Sequence, residues 1–123
     1  STRCEVKITV PDYRYEEIDN NKILCDLYFE NSKDVGREMI YQKDSVRPGL
    51  GSTDMGNISQ AFPSIHPMLS IGDGSSVNHQ PEFAAETVTE SGHKAIYDGA
   101  YAMGATIIDL AEQNLWDKLK ESD

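Results

Sequence analysis

An α/β architecture is predicted from three features of this sequence. Residues 4–10, CEVKITV, alternate apolar and polar side chains with the period of two that gives a strand one buried face. Residues 19–35 carry apolar positions at helical spacing, and residues 86–113 carry a longer helical pattern whose apolar stripe calls for a sheet to lie against. At 123 residues, 38% of them hydrophobic, the chain has the size of one ordinary domain and enough apolar side chains for a packed core.

In the first element Cys4, Val6, Ile8 and Val10 form the apolar set and Glu5, Lys7 and Thr9 the polar one, and Pro11 ends it. The helix at 19–35 places Ile23, Leu24, Leu27 and Tyr28 on one face, with Asp19 or Asn20 to cap its start and Gly36 suited to its end. A strand followed by a helix across it makes a small α+β element, to which Met39, Ile40 and Tyr41 add a short strand. The crossing segment KDSVRPGLG has no periodicity and gathers Pro48, Gly49 and Gly51, so a domain boundary is expected near residue 46, dividing 1–46 from 47–123.

Residues 49–83, GLGSTDMGNISQAFPSIHPMLSIGDGSSVNHQPEF, hold most of the polar chemistry. Ser52, Thr53 and Asp54 are good helix N-caps, and MGNISQAF forms a short helix stopped by Pro63. Ile65, Leu69 and Ile71 make a strand around Pro67, which marks an edge or bulge. The glycine-rich turn at 72–76 then delivers Val77, Asn78 and His79 to the rim of that sheet. On the long helix Ile96, Ala100, Met103, Ile107, Leu110 and Ala111 fall on one face. Gly99, Ala102 and Gly104 are read as packing residues that let a neighbouring backbone approach. Leu115, Trp116 and Leu119 make a last short amphipathic turn.

The 21 acidic residues against 11 basic ones leave a formal charge of −10, which repels phosphate backbones and anionic lipid; neither a nucleic acid nor a membrane surface is an expected partner. No apolar run approaches the roughly 20 residues that span a bilayer, and no charged-then-apolar leader precedes the first element, so a cytoplasmic location is expected. Cys4 and Cys25 make neither a disulfide framework nor a metal spacing, and two free, buried thiols are expected. The chain opens at Ser1 in strand-like sequence without an initiator Met, as a processed product or a piece of something longer would.

The run GSTDMGNISQAFPSIHPMLSIG, followed by VNHQPEF and an Ala-rich helix ending in IIDL, resembles the C-terminal portion of the co-catalytic metallopeptidases that include aminoacylase and glutamate carboxypeptidase. The resemblance is to their amidohydrolase branch, of p-aminobenzoyl-glutamate hydrolase and Xaa-Arg dipeptidase type. It is specific over 51–110 and looser, by pattern only, over 6–36. It implies that 1–46 is the end of an α+β lid or dimerisation domain and that 47–123 is the C-terminal part of an α/β catalytic domain, strands plus a long packing helix. It also implies two divalent metal ions, zinc, manganese or cobalt, a dipeptide or N-acyl amino acid as substrate, and the remainder of the catalytic domain as partner. A homodimer formed through the strand at 4–10 is compatible with it.

The same resemblance makes His79, in the His-x-x-x-Phe arrangement of NHQPEF, a metal ligand, and it places the other ligands and the Glu general base outside these residues. Three histidines without a His-Glu cluster at ligand spacing do not build a hydrolytic metal site by themselves. Gly51, Ser52, Thr53, Asp54 and Asn57 are assigned to the end of the substrate that is not hydrolysed, because hydroxyls and N–H groups at a helix start suit a carboxylate; helix capping accounts for the same residue types. His66 either faces the site or is a hydrogen-bonded structural histidine, and His93 is a solvated residue of the long helix. Glu82 and Glu86 either orient an imidazole or belong to an acidic surface. The competing function is a non-catalytic interaction or anion-binding module with no hydrolase activity.

Overall fold

Two helices set the architecture. The computed structural model describes residues 4–10, 13–41 and 53–120, and in it α1 (Lys22–Asp34) packs along α4 (Glu90–Glu112). Between them come the short α2 (Met55–Ala61) and α3 (Pro81–Glu86), and a 3-10 turn at Lys118–Lys120 follows. Cross-links from successive positions of α1 reach successively earlier positions of the C-terminal part: Asn21 Nδ2 donates to Leu119 O at 3.1 Å, Asn31 Nδ2 to Asp109 Oδ2 at 2.7 Å, and Tyr101 OH to Asp34 Oδ2 at 3.2 Å. The helices are therefore antiparallel.

Asn21, one residue beyond the expected caps, takes the N-cap of α1 by accepting the Leu24 N–H at 3.1 Å. Asn20 turns instead to the later segment, accepting the His66 N–H at 3.3 Å and pairing with Ser64 in an isolated parallel bridge. At the far end Gly36, at φ 74°, donates to Lys33 O and turns the chain, as its position suggests.

The α/β architecture expected from the sequence is not what forms: among the described residues there is no sheet, and the arrangement is helical. Residues 4–10 enter no ladder, and Val6, Ile8 and Val10 are 80, 82 and 60% exposed. Cys4 is exposed, while Cys25 is buried on α1, where burial pushes its thiol up. A period-two pattern states which face a strand would bury; it does not supply a neighbouring strand. Residues 39–41 make no ladder either. Tyr41 returns along α1, its ring 4.6 Å from that of Phe29 and its hydroxyl donating to Asp26 Oδ1 at 2.7 Å. Residues 65–71 keep the alternation, with Ile65, Pro67, Leu69 and Ile71 half-buried and His66, Met68 and Ser70 exposed, but they lie on helices rather than in a sheet. The expected boundary near residue 46 lies outside the described residues.

The long helix also packs differently. Its buried face is Ala95, Asp98, Gly99, Ala102, Thr106 and Leu110, whereas Ile96, Met103 and Ile107 of the predicted stripe are half or more exposed. Small side chains on α4 leave room for Tyr28 and Ser32 of α1, which are 2 and 1% exposed. With a helix rather than a sheet as the neighbour, the seam follows close backbone approach and not the largest side chains. A Cβ on Gly99 would stand 2.9 Å from Leu69 Cδ1, in line with a packing role, but Gly104 has nothing within 4 Å. The helix begins at 90 and not 86 because Thr87, Val88 and Thr89 interrupt it and Thr89 caps the new start, accepting the Gly92 N–H at 3.2 Å.

An ion cluster around the buried Asp98 ties three segments together. Asp98, 6% exposed, accepts from Lys94 at 2.6 Å and from Arg37 Nε at 2.7 Å, and Arg37 Nη1 donates to Ser70 O at 2.7 Å. Hydrogen bonds from Lys94 first, and from Arg37 second, hold the Asp98 carboxyl below the usual carboxylate range. Among the described residues no helix is long and apolar enough to cross a membrane.

Candidate functional site around His79

Ser70, pinned through Arg37, is the last fixed point before the turn at 72–76. Gly72 and Gly74 have φ of 60° and 77°, which only glycine adopts freely, so the chain reverses there without strain. Hydrogen bonds from the Ser75 hydroxyl first, and from the Ser75 N–H to Asp73 Oδ1 at 2.9 Å second, keep the Asp73 carboxyl below the usual aspartate range. Gly72 N–H donates to Ser91 Oγ at 3.0 Å, and Ser76 Oγ donates to Glu86 Oε1 at 2.7 Å. The turn is thereby fastened to both α3 and the first turn of α4.

His79 follows, exposed, with φ 66°. A side chain in the left-handed region is uncommon, and such backbone is retained where the surroundings hold it. Gln80 then takes the N-cap position of α3 and Pro81 the first turn, where its missing N–H is no loss. His79 thus projects from a short span between a fastened turn and a helix start. Among the described residues no hydrogen bond joins it to Glu82 or Glu86: Glu82 is exposed, and the Glu86 carboxylate serves the turn instead.

The other residues singled out from the sequence are dispersed. Gly51 and Ser52 lie outside the described residues. Thr53 Oγ1 accepts the Met55 N–H at 3.3 Å, and Asp54 occupies the N-cap position of α2 without a side-chain cap bond. Asn57 is engaged with backbone, its Oδ1 accepting the Glu16 N–H at 3.4 Å and its Nδ2 donating to Arg14 O at 3.0 Å. Ser59 and Gln60 extend this grip to the Asp19 N–H and Glu17 O. Gly56 lies against the same backbone, since a Cβ there would stand 1.9 Å from Glu16 O. His66 and His93 are exposed on separate segments.

Among the described residues no three His, Cys, Asp or Glu side chains come together as a metal site would require, so these residues do not by themselves fit a bound metal pair. Next to the turn, Leu69, Ile71, Phe83, Thr87, Gly92, Ala95 and Ile96 line an open apolar cleft of about 280 Å³. The roles of Ser76 and Ser91 were not singled out from the sequence; the glycine- and serine-rich composition of 72–76 marked a turn but not what would hold it.

The chain is similar to Xaa-Arg dipeptidases. It is 32% identical to that of Mus musculus over 110 residues, 89% of this chain and 25% of that protein. It is 30% identical to that of Homo sapiens over 107 residues, 87% of this chain and 24% of that protein. Matches of that length within 123 residues necessarily include the stretch from 51 to 83. The chain spans about a quarter of the length of the curated relatives it matches. No family model matches it, and no solved structure does. The likeness supports a relationship to the peptidase and amidohydrolase family.

Proposed function

We propose that this chain is one part of a metal-dependent amidohydrolase that cleaves the amide bond of a dipeptide or an N-acyl amino acid, and that His79 is a metal ligand there. The observation that carries this is the likeness to two Xaa-Arg dipeptidases across the whole His79 region. The left-handed backbone of His79, exposed at the end of a fastened turn, supports the choice of residue. Two divalent ions, zinc, manganese or cobalt, would activate amide and water when bound. The remaining ligands and the general base belong to other parts of such a protein. Thr53 and Asn57 serve α2 and its neighbouring segment, which favours capping and anchoring over substrate binding for that loop. The exposed, alternating residues 4–10 suit strand pairing with a second copy.

The test uses the native gene product that carries this sequence. Bound metal and turnover of Xaa-Arg dipeptides and N-acyl amino acids are measured for the unaltered protein, His79→Ala and His93→Ala. The expected result is loss of metal and of activity by well over an order of magnitude for His79→Ala, with His93→Ala close to unaltered. Equal effects of the two substitutions contradict the assignment. The 123 residues alone are expected to show no turnover with any of the three metals.

A further inference from the structure

The open apolar cleft beside the turn has the make-up of a packing socket. Leu69 and Ile71 line it from one segment, Phe83 from α3 and Ile96 from α4, and the buried Gly92 and Ala95 supply its floor. No charged side chain lines it, in a chain of formal charge −10. Thr87 is the one polar side chain in the lining, and its hydroxyl already donates to Ala84 O at 2.7 Å. Apolar surface continues past the mouth: Ile96 is 66% exposed, and Val88 and Tyr97, next in sequence to Thr87 and Ile96, are 74 and 75% exposed. A site for a small molecule encloses most of its ligand and sets a few polar groups to orient it. This cleft does neither. Contiguous apolar surface left open to water marks a contact with other protein.

A second copy of this chain is disfavoured as that protein, because it carries the same excess of negative charge and pairing would set −10 against −10. The relatives point to a nearer source. About three quarters of their length lies outside the match, and a segment of the same polypeptide is present at high effective concentration without the entropic cost of association. We infer that this cleft is the socket by which the rest of the native polypeptide packs onto this chain, filled by aliphatic or aromatic side chains from outside the 123 residues. Its volume of about 280 Å³ is roughly nine times the share of one water in the liquid, room for side chains of leucine or phenylalanine size. Ile71 and Phe83 flank the segment at 72–80, so filling the socket braces the base of the loop that carries His79. The inference rests on the reading of this chain as one part of a longer protein, and on neither His79 nor a metal.

The test uses the native gene product throughout. A photoreactive p-benzoylphenylalanine replaces Phe83, and the peptides it cross-links are identified by mass spectrometry. Ile96→Cys and Val88→Cys are titrated with a water-soluble maleimide, with the exposed His93→Cys of α4 as reference. Hydroxyl-radical oxidation of Phe83 and Tyr97 in the unaltered protein reads the same protection without a substitution. The expected result is cross-linking within one polypeptide to peptides outside these 123 residues. Thiols at 96 and 88 are expected to react more than about tenfold slower than at 93, equally at all protein concentrations, because the reagent reaches them only through local opening. Reaction at 96 as fast as at 93, with Phe83 and Tyr97 freely oxidised, overturns the inference. So do cross-links between chains with protection lost on dilution, which assign the cleft to a second copy, and protection that appears only on adding an N-acyl amino acid, which assigns it to substrate. A gene product with nothing beyond these residues overturns the longer-protein reading and the inference together. A longer product that binds no metal and turns nothing over, yet gives the expected cross-links, overturns the hydrolase reading alone and upholds the socket.

Discussion

Leu110 and Ile107 stand three residues apart on α4 and have nearly the same side-chain size, yet Leu110 is 3% exposed and Ile107 58%. Truncating Leu110 to alanine removes three carbons from a buried site, at about 0.8 kcal/mol each for transfer to water, and leaves a partly collapsed cavity. The expected loss is about 3–4 kcal/mol, within the roughly 2–5 kcal/mol range for buried leucines. Ile107→Ala loses less than half of a similar transfer energy, about 1 kcal/mol, and recovers about 0.5 kcal/mol because alanine is the better helix former. The difference between the variants is then about 3 kcal/mol. At an m-value of roughly 1–3 kcal/mol/M it separates their urea midpoints by at least about 1 M. The assay is equilibrium urea unfolding followed by far-ultraviolet circular dichroism at several protein concentrations. Coincident midpoints, or Ile107→Ala as the weaker variant, would refute the packing of α4 described above and make the large apolar stripe the buried face.

Gly56→Ala is expected to lower stability by about 1–3 kcal/mol, because its Cβ would meet the Glu16 carbonyl, a backbone atom with little room to give. Gly104→Ala, with open space around it, is expected to gain about 0.5–1 kcal/mol of helix propensity; thermal melts of the pair check both signs. Asp98 has a depressed folded value, so its contribution is complete above the unfolded aspartate value of about 3.9 and is lost as pH falls through the lower folded value. Asp98→Asn is expected to flatten the acid limb of the stability curve below about pH 4, and an unchanged limb would exclude the cluster as an acid-sensitive tie. Asn57→Ala is expected to lower the melting temperature and to leave KM unchanged in the native gene product; a raised KM at undiminished stability would restore Asn57 to the substrate.

The helices were legible from apolar spacing and stop signals, as with Ile23, Leu24 and Leu27 on α1 and Pro63 beyond α2, although the α1 cap proved to be Asn21 rather than Asp19 or Asn20. The run Thr87-Val88-Thr89 also carried its message, a β-branched interruption followed by an N-cap, but continuous apolar spacing on either side concealed the break. Strands could not be read in the same way, since a ladder depends on a neighbour that alternation within residues 4–10 does not specify. On α4 the packing reading of Gly99 and Ala102 held, but Ile96, Met103 and Ile107 were misjudged as buried because Ala95 and Thr106, which are buried instead, weigh little in a hydrophobic stripe. At the candidate site, His79 and the turn before it were visible in the residue types. The fastening through Ser76, Glu86 and Ser91 was not, because it joins positions 10 and 19 residues apart by side-chain bonds that no local pattern encodes.

Asn57, Ser59 and Gln60 hold residues 14–19 through main-chain atoms, and this makes tolerance to substitution there depend on the direction of each bond. Arg14 and Glu17 present carbonyls, which every amino acid retains, so their exposed side chains are free to diverge between related sequences. Glu16 and Asp19 present N–H groups, which every amino acid but proline retains. A saturation library over this segment should therefore be permissive at all four positions, with proline alone depleted at 16 and 19 by loss of a donor. The opposite pattern belongs to the helix that does the holding, where the amide of Asn57 has few replacements that both donate and accept.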